Sequence, residues 1–224
     1  MERMQSLEKL NKKIITCKKC PRLAYYIQKV AKIKIKRFND QKYWGKPLCG
    51  FGDSKAQLMI IGLAPAAHGG NRTGRMFTGD SSGEWVAKVL YQHGFATKPI
   101  SESVNDGFSL INAYITAALR CAPPQNKPQK EELQNCSQYL KWEFLILKNI
   151  KVIVCLGKIA FDSCTNLLNI KGIKFGHGKL YYHKGLVIMC SFHPSRQNTQ
   201  TRRLTWDMWS SIFSKAKNIL EEMK

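Results

Sequence analysis

Two stretches of this chain gather the residue types that do chemistry. Leu58 to Asp80 reads LMIIGLAPAAHGGNRTGRMFTGD: an apolar run stops at Gly62, and a loop holding five glycines, Arg72 and Arg75 runs on to Asp80. Packing does not require such a loop. Glycines let backbone approach a ligand closely, and arginines beside them favour an anion. The second stretch, LVIMCSFHPSRQN, is an apolar run broken at His193-Pro194-Ser195-Arg196. A histidine at a strand end, held by proline and followed by a hydroxyl and a guanidinium, is placed to meet a ligand.

Four cysteines form a third constellation. Cys17 and Cys20 make a C-x2-C beside Pro21, Cys121 lies in RCAPP, and Cys136 follows fifteen residues later. Two thiolates on one tight turn reach the same metal centre, and a second pair completes a four-thiolate shell. A zinc ribbon usually repeats the tight pair, whereas the wide second spacing suits a larger iron–sulfur cluster; unrelated thiols are the third reading. Cys155 and Cys190 sit inside apolar runs and read as small core residues. Cys164, within a helical stretch, and Cys49, on a loop, stay outside the set.

The elements that must hold these residues alternate regularly. Residues 3–16 and Pro21 to Arg37 read as basic helices, and Gln57 to Ile61 as a buried strand. Ser81 with Glu84 resembles a capping box opening a helix that ends near Gly94. Leu110 to Leu119 is a second strand, and Pro128 opens a helix carried by Leu133, Cys136, Leu140, Phe144 and Leu147. Lys151 to Gly157 is a third strand, with a helix from Lys158 to about Leu168. Then come a hairpin and strand ending at Phe192, and a last helix from about Arg203 to Met223 burying Trp206, Trp209, Phe213 and Ile219. Strands alternating with helices predict an α/β fold, a three-layer α/β/α unit around a mostly parallel four-stranded sheet, with residues 1–224 as one domain.

Composition bounds the partner. With 36 basic and 15 acidic residues the formal charge is +21, which calls for a polyanion, nucleic acid first. No apolar run approaches the ~20 residues that span a bilayer. No signal peptide is visible, so the expectation is a cytoplasmic protein with reduced thiols and no membrane partner. Nothing announces an oligomer, and monomer is the default.

With CKKCPR, FGD at 51–53, GLAPAAHGGNRTGRMFTGD, YITAALRCAPPQNKP, LGKIAF and FHPSRQNTQTRRLT in order, the chain resembles the uracil-DNA glycosylase superfamily, and within it family 5, the type b thermophilic enzymes. Leu63 stands where family 4 relatives carry an acidic residue, Ala64 and its neighbours offer no polar group to position water, and Ala117 replaces a family 4 asparagine. The resemblance implies a monofunctional DNA repair hydrolase that flips out uracil, and also hypoxanthine or other deaminated bases, leaving an abasic site. It implies Asp80, His193 and Asn126 as catalytic residues. Asp80 would face the sugar cation or orient water, with helix capping as its alternative duty; His193 would donate to the base carbonyl, and Asn126 would contact the base. Gly62, Leu63, Ala64 and Phe77 would line the base pocket, Phe77 by stacking, while His68 holds the loop or touches the base. Arg72, Arg75, Ser195 and Arg196, with Arg202 behind them, would meet DNA phosphates. Cys17, Cys20, Cys121 and Cys136 would carry a structural [4Fe-4S] cluster tying the N-terminal segment to the domain. A non-enzymatic iron–sulfur or zinc nucleic-acid-binding module is the competing reading. It explains the charge and the cysteines but not the paired loops. A nucleotide hydrolase fits less well, because the loop lacks G-x4-G-K-[ST].

Overall fold

A computed structural model describes residues 6–223, so the first part of the helix expected over 3–16 lies outside the described residues. Eight helices and six strands follow in the order α1 (Leu7–Ile15), α2 (Pro21–Ile33), β1 (Phe51–Gly52), β2 (Leu58–Gly62), α3 (Gly70–Thr73), α4 (Ser81–Gln92), β3 (Ala113–Ala117), α5 (Lys130–Ile146), β4 (Val152–Leu156), α6 (Lys158–Leu167), β5 (Leu180–His183), β6 (Leu186–Ser191), α7 (Arg196–Gln200) and α8 (Trp206–Glu222).

The strands form one sheet in the order β1-β3-β2-β4-β6-β5. Its four central strands are parallel, while β1 and β5 pair antiparallel at the two edges. The sheet thus has six strands rather than the expected four. The parallel centre was legible because LMIIG, AYITA and VIVCL are buried throughout, as strands covered on both faces must be. A two-residue edge strand such as β1 leaves no periodicity to read.

One face of the sheet packs on Val86, Val89 and Leu90 of α4 and on Trp209, Ile212 and Phe213 of α8. The other face packs on Leu140 of α5 and on Ala160, Phe161 and Cys164 of α6. The result is a three-layer α/β/α fold. A third apolar cluster joins Leu10 and Ile14 of α1, Leu23 and Ile27 of α2, Leu119, and Tyr139 of α5, beside the four spaced cysteines.

Several boundaries shift for local reasons. Ser81 is not the cap of α4; Asp80 is, its side chain accepting from the Gly83 amide. Pro128 stands two residues outside α5, which Gln129 and Glu132 start with a reciprocal capping box. α2 stops at Ile33 because Lys34 turns left-handed at φ 58°. In α8 the fully buried face is Trp209, Ile212, Phe213, Ala216 and Leu220, while Trp206 and Ile219 are only partly covered.

Candidate active site

Parallel strands deliver their loops to one edge, and the two chemistry-bearing stretches leave the carboxyl ends of β2 and β6. The first folds back on its own start. A Cβ on Gly62 would sit 2.7 Å from Phe77 Cζ, so only glycine lets the phenyl ring lie on the end of β2. Phe77 itself is left-handed at φ 49°, a conformation costing ~1 kcal/mol for a residue with a side chain. It is 9% exposed, so most of the ring is already covered. Leu63 and Ala64 are half-buried beside it, and the Gly62 and Leu63 carbonyls accept from the Ala118 and Leu119 amides at 2.9 Å.

Asp80 closes the loop. Its Oδ1 accepts from the Gly83 amide at 2.9 Å and caps α4. Its other oxygen lies against the Cα of Gly69, where no Cβ would fit. Burial raises the Asp80 pKa; the Gly83 and Ser82 amides oppose that rise in part, as expected for a carboxylate at a helix N-terminus. Capping and a free oxygen therefore coexist on one side chain.

His193 follows β6. Burial lowers its pKa to about 4, so the imidazole is neutral at physiological pH. Its ring centroid lies 5.9 Å from that of Phe77, at 33° between planes. The backbone around it is fixed, since the His193 carbonyl accepts from Asn198 Nδ2 and from the Ser195 amide, both at 2.8 Å. Ser82 Oγ donates to the Pro194 carbonyl at 3.0 Å, joining the start of α4 to this loop. The structure thus brings Asp80, Phe77, Gly62 and His193 together.

Other expected residues do different work. Arg75 is buried and cannot meet a phosphate directly. Its guanidinium pairs with Asp106 at 2.7 Å, donates to Ser101 and Thr78, and sits beside the Phe51 and Phe108 rings, 5.5 and 5.2 Å from their centroids. Burial pushes the Asp106 carboxyl up, but Arg75 and the Phe108, Ser103 and Glu102 amides outweigh it, holding the pKa well below the usual carboxylate range. Arg72 turns inward too. Its Nε donates to the His68 carbonyl at 2.8 Å, Nη1 to Gln41 at 2.6 Å and Nη2 to the Gly79 carbonyl at 2.7 Å, over the Phe38 ring at 3.9 Å. That leaves it bracing the loop rather than reaching for DNA.

His68 Nδ1 lies 3.0 Å from the Tyr43 hydroxyl, and burial followed by the charge of Arg72 lowers its pKa. Ser195 Oγ accepts from the Asn198 amide and caps α7. Arg196 and Arg202 are exposed, and neither joins an ion pair among the described residues. Asn126 is exposed and left-handed at φ 57°, next to a left-handed Gln125, and no hydrogen bond among the described residues ties it to either loop. Sequence reasoning missed Gly69, Ser82, Asn198 and Asp106. Gly69 carried the one available signal, as half of a Gly-Gly pair.

Cys17, Cys20, Cys121 and Cys136 converge in the third apolar cluster. Burial raises the Cys121 thiol pKa most, and Cys136, Cys17 and Cys20 push it further, which places all four within electrostatic reach of one another. Asn135 Nδ2 approaches Cys20 Sγ at 3.6 Å. Arg120 is fully buried against Glu143 at 2.6 Å, yet its Nε has no acceptor. No three His, Cys, Asp or Glu side chains among the described residues converge on a single metal ion. Four thiols gathered in one apolar cluster, with an orphaned cationic donor beside them, are a donor set that fits a thiolate-held metal cluster. The N-terminal segment is held by more than thiols: Arg22 makes a two-pronged pair with Glu132 at 2.8 Å.

No helix among the described residues is long and apolar enough to cross a membrane. The family model described as uracil DNA glycosylase superfamily matches residues 49–217. A type-5 uracil-DNA glycosylase of Pyrobaculum aerophilum is 40% identical over 204 residues, spanning 91% of this chain and 89% of that protein. One from Thermus thermophilus is 42% identical over 212 residues, 92% and 94% of the two chains. A type-4 uracil-DNA glycosylase of Archaeoglobus fulgidus is 26% identical over 199 residues, 86% and 83%.

Proposed function

The chain belongs to the uracil DNA glycosylase superfamily, and from that premise we propose that it flips uracil out of DNA and hydrolyses its N-glycosidic bond. The observation that carries this reading is the single site in which a capped carboxylate, Asp80, and a neutral imidazole, His193, are held by the Ser82–Pro194 hydrogen bond.

The bond's electron pair leaves with the base, water's oxygen bonds to the anomeric carbon, and water's proton ends on the base. The sugar passes through an oxocarbenium-like state. Asp80 turns its uncapped oxygen toward that cation or the attacking water, while His193, neutral and therefore carrying one N–H, donates to the base oxygen as charge develops there. A neutral donor suits this step because it needs no ionisation change. Phe77 and the Gly62–Ala64 backbone form the wall against which the base lies, and Asn126 is assigned the base edge. Arg196 and Arg202 are the phosphate contacts that remain once Arg72 and Arg75 are spent internally.

Leu63 and Ala64 supply no polar side chain to reject other bases, so the reading extends to hypoxanthine and other deaminated bases. Cys17, Cys20, Cys121 and Cys136 would hold a [4Fe-4S] cluster. When bound, that group cross-links four points of the chain and supplies no electron to the hydrolysis. The protein is read as one domain acting as a monomer.

An oligonucleotide with one uracil tests the reading: free uracil and an alkali-labile abasic site are expected. Normal DNA binding with no base released would overturn it. A parallel assay on hypoxanthine tests the wider range, and strict uracil-only turnover would restrict it.

A further inference from the structure

From the end of α2 toward β1 the chain passes beside the catalytic loop. Residues 29–46, KVAKIKIKRFNDQKYWGK, hold seven basic residues and one acidic residue, Asp40. Lys29, Lys32, Lys36, Arg37, Lys42 and Lys46 are exposed, and none joins an ion pair among the described residues. Aromatic rings alternate with these charges. Trp44 is 37% exposed with Lys46 over its face at 5.5 Å, and Arg37 lies over Phe38 at 5.1 Å.

The segment is locked to the loop over residues 38–45. Phe38 and Gln41 meet Arg72, the Tyr43 hydroxyl meets His68, the Trp44 amide donates to the Arg72 carbonyl, and the Gly45 amide donates to the Asn71 carbonyl. Arg72 in turn holds the Gly79 carbonyl beside Asp80.

We propose that residues 29–46 form a second DNA-contacting strap, which takes phosphates on Lys32, Lys36, Arg37 and Lys42 and extends the footprint beyond the two catalytic loops. Cations free of ion pairs flanking an exposed indole, Trp44, are what a polyanionic backbone with stacked bases requires. Continuity with the loop favours DNA over an anionic membrane, the other surface a basic, partly apolar strap could meet. The proposal rests on the glycosylase reading for the identity of the nucleic acid.

The test compares three full-length proteins: wild type, Lys32→Ala/Lys36→Ala/Arg37→Ala/Lys42→Ala, and the charge-matched Lys141→Ala/Lys148→Ala/Lys171→Ala/Lys174→Ala. Binding to a uracil-containing duplex is measured from 50 to 200 mM salt, with single-turnover excision at saturating protein alongside. The strap variant should show a salt slope shallower by about 0.9 for each phosphate given up, and at least ~10-fold weaker binding at low salt, with an unchanged excision rate. The charge-matched variant should keep the wild-type slope. Equal slopes for all three overturn the strap while uracil release by the wild type still upholds the reading. A slope lost only in the strap variant of a protein that frees no base upholds the strap and sinks the reading. Binding to phosphatidylserine vesicles that falls in the strap variant while DNA binding holds assigns the surface to membrane and overturns the proposal.

Discussion

Ser82 Oγ and the Pro194 carbonyl, 3.0 Å apart, are the one side-chain hydrogen bond found between the first turn of α4 and the loop carrying His193. The residue two before Ser82 is the carboxylate and the residue before Pro194 is the imidazole. This bond thus ties together two segments whose chemical groups are 113 positions apart in sequence. Ser82→Ala should slow single-turnover excision by ~5-fold, since one net hydrogen bond contributes about 1 kcal/mol, while DNA affinity stays near wild type. Parallel losses in rate and affinity would deny the spacing role.

Asp80→Asn separates chemistry from capping. Asparagine caps a helix as well as aspartate, so the melting temperature should hold while excision falls by ~100-fold or more. Asp80→Ala should lose the same activity and also about 1 kcal/mol of stability with the cap. An Asn variant that melts as early as the Ala variant would mean the carboxylate is structural.

The two pH dependences run in opposite directions. His193 has a folded pKa of about 4, below the ~6.5 of an unfolded chain, so the unfolded state binds more protons between those values. Its contribution to stability is present above pH 6.5 and is lost as pH falls toward 4; His193→Gln should flatten melting curves across that window. Asp80 is raised, so the native state holds its proton more tightly and its contribution fades as pH rises through the folded pKa. With His193 neutral above its low pKa, the acid limb of the excision rate should belong to Asp80 and vanish, with residual activity, in Asp80→Asn.

Arg75→Ala should destabilise by about 3 kcal/mol, because it strands Asp106 without its buried partner. In the wild type the Asp106 contribution is present above pH ~4 and is lost as pH falls through its depressed pKa. Thermal melts at pH 7 and pH 3 check both statements. A DNA-binding defect in fully folded Arg75→Ala would restore the phosphate role that its burial argues against.

Anaerobically purified protein should carry about four irons and four sulfides per chain. Cys121→Ser should lose most of both, and Cys164→Ala, buried in a different apolar cluster from the four spaced cysteines, should lose neither. Stoichiometric zinc in their place would reject the cluster.

The sequence carries its core in local apolar runs, so β2, β4 and β6 could be read without coordinates. Gly62 and His193 could be placed at the ends of such runs, while their grouping with Phe77 and Asp80 was an expectation from the family resemblance. The arginines were not. Arg75 finds Asp106 thirty-one residues away, and Arg72 is surrounded by carbonyls whose positions exist only after the loop has folded. A free guanidinium and a spent one look the same in a string of letters. Edge strand β5 was legible as the first arm of the hairpin before Phe192, whereas the two-residue β1 is too short to separate from loop.

Gly69 has no functional group, yet the Asp80 carboxylate occupies the volume its side chain would need. In a random substitution library, position 69 should therefore score like a catalytic residue. Alanine there would push the carboxylate aside without altering one atom of it, making the hydrogen on that glycine a fixed boundary of the reaction chamber.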